Sequence, residues 1–100
     1  MNNYDADELH ETYEAGGHTA NPVILKAINS HVTKGAPVDG FTTALLRNNF
    51  SDVLVSADPE DRVNLFAYAS YLHWCVPGNC WGSFEKVEAW REKKAAEVEA

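Results

Sequence analysis

The residue types best suited to chemistry fall in one run, His73-Trp74-Cys75-Val76-Pro77-Gly78-Asn79-Cys80. Thiolate and imidazole are the usual ligands of tetrahedral zinc, often as two cysteines separated by roughly two to four residues. Cys75 and Cys80 have four residues between them, and His73 lies beside them. A fourth ligand would have to be His10, His18 or His31. The two cysteines could instead form a disulfide, which a reducing cytoplasm disfavours. His73 could also serve a cysteine nucleophile as its base. Cys75 sits where a helix ends, which disfavours a thiolate, whereas Cys80 precedes the Ser83 helix cap and is better placed. No oxyanion-hole motif or orienting acid accompanies either one. Against all three stands simple packing: Cys75 closes a buried helix as a small hydrophobe, and Cys80 lies under the turn. Packing is the expectation, with no catalytic residue, no bound metal and no cofactor.

Other groups that could carry chemistry have plainer readings. Glu85, Glu88 and Glu92 alternate with Lys86, Arg91, Lys93 and Lys94 at spacings that pair charges along a solvated helix face. Glu60 and Asp61 are first-turn acids that suit the positive end of a helix. Segments 22–34 and 40–48 could pass for a DNA-binding helix pair, but the second offers only Arg47 as a cation. Gly16-Gly17 and Gly35 read as helix ends, not as a phosphate-binding loop.

The elements that must position these residues are helical. Residues 5–15 are expected to form a helix with Leu9 and Tyr13 as its apolar stripe, ended by Gly16-Gly17. Asn21-Pro22 is a helix start, and Leu25, Ile28 and Val32 make one apolar face over 22–34, with Ile24 and His31 beside it. Asp39 caps a short helix over 40–48 that buries Phe41, Ala44 and Leu45. A second short helix, 50–57, sets Phe50, Val53, Leu54 and Ala57 on one side. Asp58-Pro59-Glu60-Asp61 opens a helix that is apolar nearly all round to Val76, so it should be the buried central helix. The last helix follows Ser83, with Phe84, Val87 and Trp90 on one face, and should fray beyond Arg91. Trp74 and Trp90 read as core. Trp81, in the turn before Gly82, either folds over the junction of the last two helices or anchors an interface. The fold class is all-α: a single-domain bundle of about five helices around a buried central helix at about 59–76.

The 100 residues include 8 Lys and Arg against 15 Asp and Glu, a net charge of −7. Most of that acidity sits in residues 1–20, which hold Asp5, Asp7, Glu8, Glu11 and Glu14 and no Lys or Arg. Such a field repels phosphate backbones, so direct nucleic-acid binding is not expected. No apolar run approaches the ~20 residues that span a bilayer. The start, Met1-Asn2-Asn3-Tyr4-Asp5, has neither the basic nor the apolar region of a secretory signal. The expected compartment is the host cell cytoplasm, with no membrane partner.

Several stretches form a pattern: Gly40-Phe41, Ala44-Leu45-Leu46, Asn48, Ala57-Asp58, Asn64, then Cys80-Trp81-Gly82-Ser83 with Glu85, Val87 and Trp90. This pattern resembles a family of small bacteriophage and prophage proteins over the last two thirds of the chain. The resemblance implies no enzymatic activity and no cofactor. It also implies the company of anti-CRISPR proteins and other host-takeover inhibitors. The acidic residues 1–20 lie outside it.

The expected function is therefore non-enzymatic: binding and inhibition of a host protein or ribonucleoprotein complex, with acidic residues occupying a basic surface that normally grips nucleic acid. The candidate partner-binding residues are Asp5, Asp7, Glu8, Glu11, Glu14 and Trp81. Two alternatives remain: an accessory phage domain whose charges only keep it dissolved, and a small metal-binding protein using His73, Cys75 and Cys80.

Overall fold

The computed structural model describes residues 9–99, with side chains through residue 97. Among them are a two-residue hairpin, β1 (Glu14–Ala15) and β2 (His18–Thr19), and six helices. These are α1 (Pro22–Lys34), α2 (Gly40–Leu46), α3 (Phe50–Ser56), α4 (Pro59–Val63), α5 (Leu65–Cys75) and α6 (Phe84–Glu99). The all-α class holds.

The helix starts are where the caps put them. Asn21, Asp39, Asn49 and Asp58 each accept a bond from a first-turn amide through the side chain. Pro22 and Pro59 follow two of these caps, where a missing N–H costs nothing. Gly35 ends α1 in the left-handed conformation, φ 64°, and its N–H returns to the His31 carbonyl. A Cβ on Gly35 would lie 2.8 Å from the Lys94 Cβ, so glycine here also lets α6 approach.

Over its described part, residues 9–15, the helix expected at 5–15 does not form. Residues 5–8 lie outside the described ones, and 9–13 are not helical. Gly16 and Gly17, φ 58° and 78°, instead make the two-residue turn of a hairpin. Leu9 and Tyr13 do not stripe a helix. Tyr13 is buried edge-on against Tyr71, with ring centroids 5.2 Å apart. The backbone of His10 is captured too: its N–H donates to the Tyr71 hydroxyl at 2.8 Å, and its carbonyl accepts from the Asn29 amide at 2.9 Å. The Tyr71 proton goes to Asn29 Oδ1 at 2.6 Å. Bonds to distant side chains replace those of a weakly striped helix.

The central helix is broken and only half covered. The break is Asn64, whose side-chain N–H donates to the Glu60 carbonyl while its Oδ1 accepts from the Thr19 N–H. A side chain that offers the backbone another partner competes with the helix. Ala67, Tyr68, Tyr71, Leu72 and Cys75 are buried, but Val63, Phe66 and Trp74 are 65%, 57% and 50% exposed. A chain this short has too few residues to surround a helix on every side. Trp74 is therefore not core. Phe84 is exposed as well, under the Arg47 guanidinium at 4.5 Å.

Trp90 does pack inward. Its indole N–H is shared between the His31 and Val32 carbonyls at the end of α1. The helix it sits on runs to Glu99 instead of fraying past Arg91. Lys93 and Lys94 hold their ammonium groups over the Trp90 ring, and Lys94 also pairs with Glu97.

His31 is fully buried, with Nε2 2.8 Å from the Cys80 carbonyl, so Nε2 carries the proton. Burial lowers its pKa from the ordinary 6.5, and the nearby Arg91 adds to this, against the Cys80 bond and Glu88. Below pH ~6.5 the unfolded chain takes up a proton that folded His31 refuses, so stability falls as pH falls through that window. Asp61 works the other way, its pKa raised by burial, so its own contribution grows on acidification.

Two outcomes follow. Tyr71→Phe should cost about 1–3 kcal/mol in urea unfolding, with loss of amide-exchange protection at His10. His31→Gln keeps a side-chain N–H for the Cys80 carbonyl but cannot titrate. Between pH 7 and 5.5 the wild type should lose stability relative to His31→Gln, by at most ~1.4 kcal/mol per pH unit. Parallel curves would show that His31 charges freely in the fold.

Candidate functional site

The turn between α5 and α6 was the chemical candidate, and its side chains are turned to packing. Cys75 and Cys80 are buried thiols. The Cys80 thiol points to the Pro77 carbonyl at 3.1 Å, and the Cys80 carbonyl takes the His31 proton. His73 is exposed instead, its ring edge-on to Trp74 with centroids 4.6 Å apart. Among the described residues no three His, Cys, Asp or Glu side chains gather closely enough to hold a metal ion.

Asp61, an acid whose pKa burial raises, serves the fold. Asp61 accepts from the buried Tyr68 hydroxyl at 2.8 Å, and that hydroxyl accepts from the Asn21 N–H at 3.1 Å. Burial raises both pKa values, that of Tyr68 well above the ordinary tyrosine range. The pair ties the start of α1 to α4 and α5.

What the turn does build is an apolar groove. Gly82 donates to the Leu46 carbonyl at 2.7 Å, which fastens the turn to the end of α2. Trp81 is thereby held half-buried as one wall. Leu65, Ala69 and Leu72, at helical spacing, line it from α5, and Phe50 and Val53 from α3. Leu45 and Asn48 complete it from α2 and its end. Asn48 sits in the left-handed region, φ 57°, which lets the chain reverse from α2 into α3. The groove has a volume of about 200 Å³. That is below the ~300–1,000 Å³ of sites for whole small molecules. It suits one or two side chains.

The other candidates fall elsewhere. Asp5, Asp7 and Glu8 lie outside the described residues. Glu11 is exposed along a separate groove that Lys26 and Lys34 of α1 also line. Glu14 is exposed on β1 and accepts from the Thr19 hydroxyl. Glu11 and Trp81 therefore belong to different grooves.

Phe50, expected inside its helix bundle, is 71% exposed at the groove, and Leu54 next to it is 40% exposed. One signal for this was available. The seven-residue α3 carries Phe50, Val53, Leu54 and Val55, more apolar side chains than one face can bury. No helix among the described residues is long and apolar enough to cross a membrane. No protein-family model, curated protein or solved structure matches this chain.

Proposed function

We propose that this protein works without catalysis, by binding a protein partner, as an inhibitor of a host nucleoprotein complex of the anti-CRISPR kind. One observation supports binding above the rest: an apolar groove, walled by Trp81 and lined by the exposed Phe50. A domain whose charges only keep it dissolved has no use for such a surface, because exposed apolar patches invite association. The host-inhibitor part rests on the resemblance to phage proteins. The acids Glu11 and Glu14 are solvent-facing and in no ion pair among the described residues. Together with Asp5, Asp7 and Glu8 they would draw the chain toward a basic surface, while apolar contacts would hold it there.

The test is affinity capture from bacterial cytoplasm at low and high salt, followed by kinetics on the captured partner. A nucleoprotein complex retained at low salt and lost at high salt is the expected result. Neutralising Asp5, Asp7, Glu8, Glu11 and Glu14 to their amides should change stability by no more than about 0.5 kcal/mol. It should slow association and flatten its salt dependence. Wild-type association rates at every ionic strength would remove these acids from the interface. No specific capture at any salt would end the binding proposal.

A further inference from the structure

We infer that the groove along α1 is the seat of this chain's own acids Asp7 and Glu8, which lie just outside the described residues, with Lys34 as the cation that receives them. The described residues set the heading. The Tyr13 carbonyl accepts from the Ala20 N–H at 2.9 Å, next to the Asn21 cap that starts α1. Three residues before Tyr13, the His10 carbonyl accepts from Asn29, eight positions beyond that cap. Followed from Tyr13 back to His10, the chain therefore runs beside α1 toward the C-terminal end of the helix. Lys34 lies five residues past Asn29, ~7.5 Å along the helix axis. Asp7 and Glu8 precede His10 by three and two residues, a reach of up to ~7–10 Å. On the same heading the two acids come level with Lys34.

Space and charge favour the same occupant. The groove has a volume of about 470 Å³, and Lys26, Asn29, Ser30, Thr33 and Lys34 line it from α1, with Glu11 beside them. Lys26 and Lys34 join no ion pair among the described residues. Two lysines against one glutamate leave this lining at +1, on a chain of net charge −7. A helix C-terminus ordinarily repels a carboxylate through its open carbonyls. Here the Ser30 and His31 carbonyls accept from the Ala36 and Gly35 amides, and the Trp90 indole N–H is shared between the His31 and Val32 carbonyls. A free anion must find the groove from solution. Asp7 and Glu8 are tethered at its edge through His10, at an effective concentration on the order of millimolar. A basic partner that draws on these acids has first to displace Lys34.

The test is amide NMR on the 15N-labelled full chain at low salt. Asp7→Asn with Glu8→Gln should move the Thr33 and Lys34 signals, far from the changed residues in sequence. In a Lys34→Gln background the same neutralisation should leave Thr33 nearly still. Lys34 is exposed, so its replacement should keep the fold. Salt at about 1 M, where the Debye length falls to ~3 Å, should move the wild-type Thr33 signal as neutralisation does. The charge swap, Asp7→Lys and Glu8→Lys with Lys34→Glu, should restore that salt response. Inorganic phosphate should bind the groove of the neutralised variant ~3-fold more tightly than that of the wild type, since an exposed ion pair is worth a few-fold at most. Equal phosphate binding overturns the inference and makes the groove an open anion site. A Thr33 signal indifferent to neutralisation, or moved equally in the Lys34→Gln background, overturns it too. So do groove shifts that grow with protein concentration, which would mean the acids of a second copy. None of these readouts uses a partner, so the inference and the binding function proposed above stand or fall separately.

Discussion

A buried hydroxyl must be hydrogen-bonded, and two tyrosines on the inner face of α5 meet that demand by reaching to distant parts of the chain. Tyr68 gives its proton to Asp61 and accepts from the amide of the cap that starts α1. Tyr71 gives its proton to Asn29 within α1 and accepts from the amide of His10. With these bonds made, α4, α5, α1 and the segment before the hairpin have one mutual arrangement. Without them, two large polar groups would be stranded in an apolar core, each costing about 1–3 kcal/mol. The hairpin follows from this. Once His10 and Tyr13 are fixed against Tyr71, the chain must reverse to reach Asn21, and Gly16-Gly17 supplies the turn.

The α5–α6 turn is held by the same logic in different groups. Its Cys80 carbonyl is satisfied by His31, and its Gly82 amide by the end of α2. Trp90 adds its indole N–H to the His31 and Val32 carbonyls at the end of α1, the first of which also accepts from the Gly35 N–H. A turn pinned at both ends holds the residue between them, and that residue is Trp81. Cys80, which looked like part of a reactive cluster, is thus part of the frame that fixes an aromatic wall, held there by His31, while His73 stands exposed. Rigid placement of an aromatic side chain lowers the entropy lost when something binds against it.

The helix boundaries were legible because they are local. Asn21-Pro22, Asp39, Asp58-Pro59 and Gly35 each act within a turn of themselves, and each sits where it was expected. The departures all depend on residues far along the chain. Asn64 looks like an ordinary member of a long helix until Thr19, 45 positions earlier, takes its side-chain oxygen. Residues 9–15 hold good helix formers, and nothing near them reveals that Tyr71 and Asn29 will claim the backbone. Trp74 and Phe66 stay exposed among the described residues because a chain this short cannot surround α5 on every side; Phe66 has only the hairpin's His18 ring and Gly16 beside it there. Trp81 was recognisable as a turn aromatic, yet its groove was not. The groove exists only after α3 has folded back beside α5, and that depends on the left-handed residue Asn48.

The groove itself reflects a tension in how a short chain spends its apolar residues. α2 and α3 are seven residues each, too short for a separate buried stripe and an apolar second face. α2 resolves this by burying Phe41, Ala44, Leu45 and Leu46. α3 buries only Val53 and leaves Phe50, Leu54 and Val55 in water. Polar residues at those three positions would cost the fold little, since a largely exposed side chain contributes little buried area. Stability therefore gives no reason for apolar side chains at those three positions, of which Phe50 lines the groove. A contact with another molecule, as proposed, would use Phe50 together with the Trp81 wall.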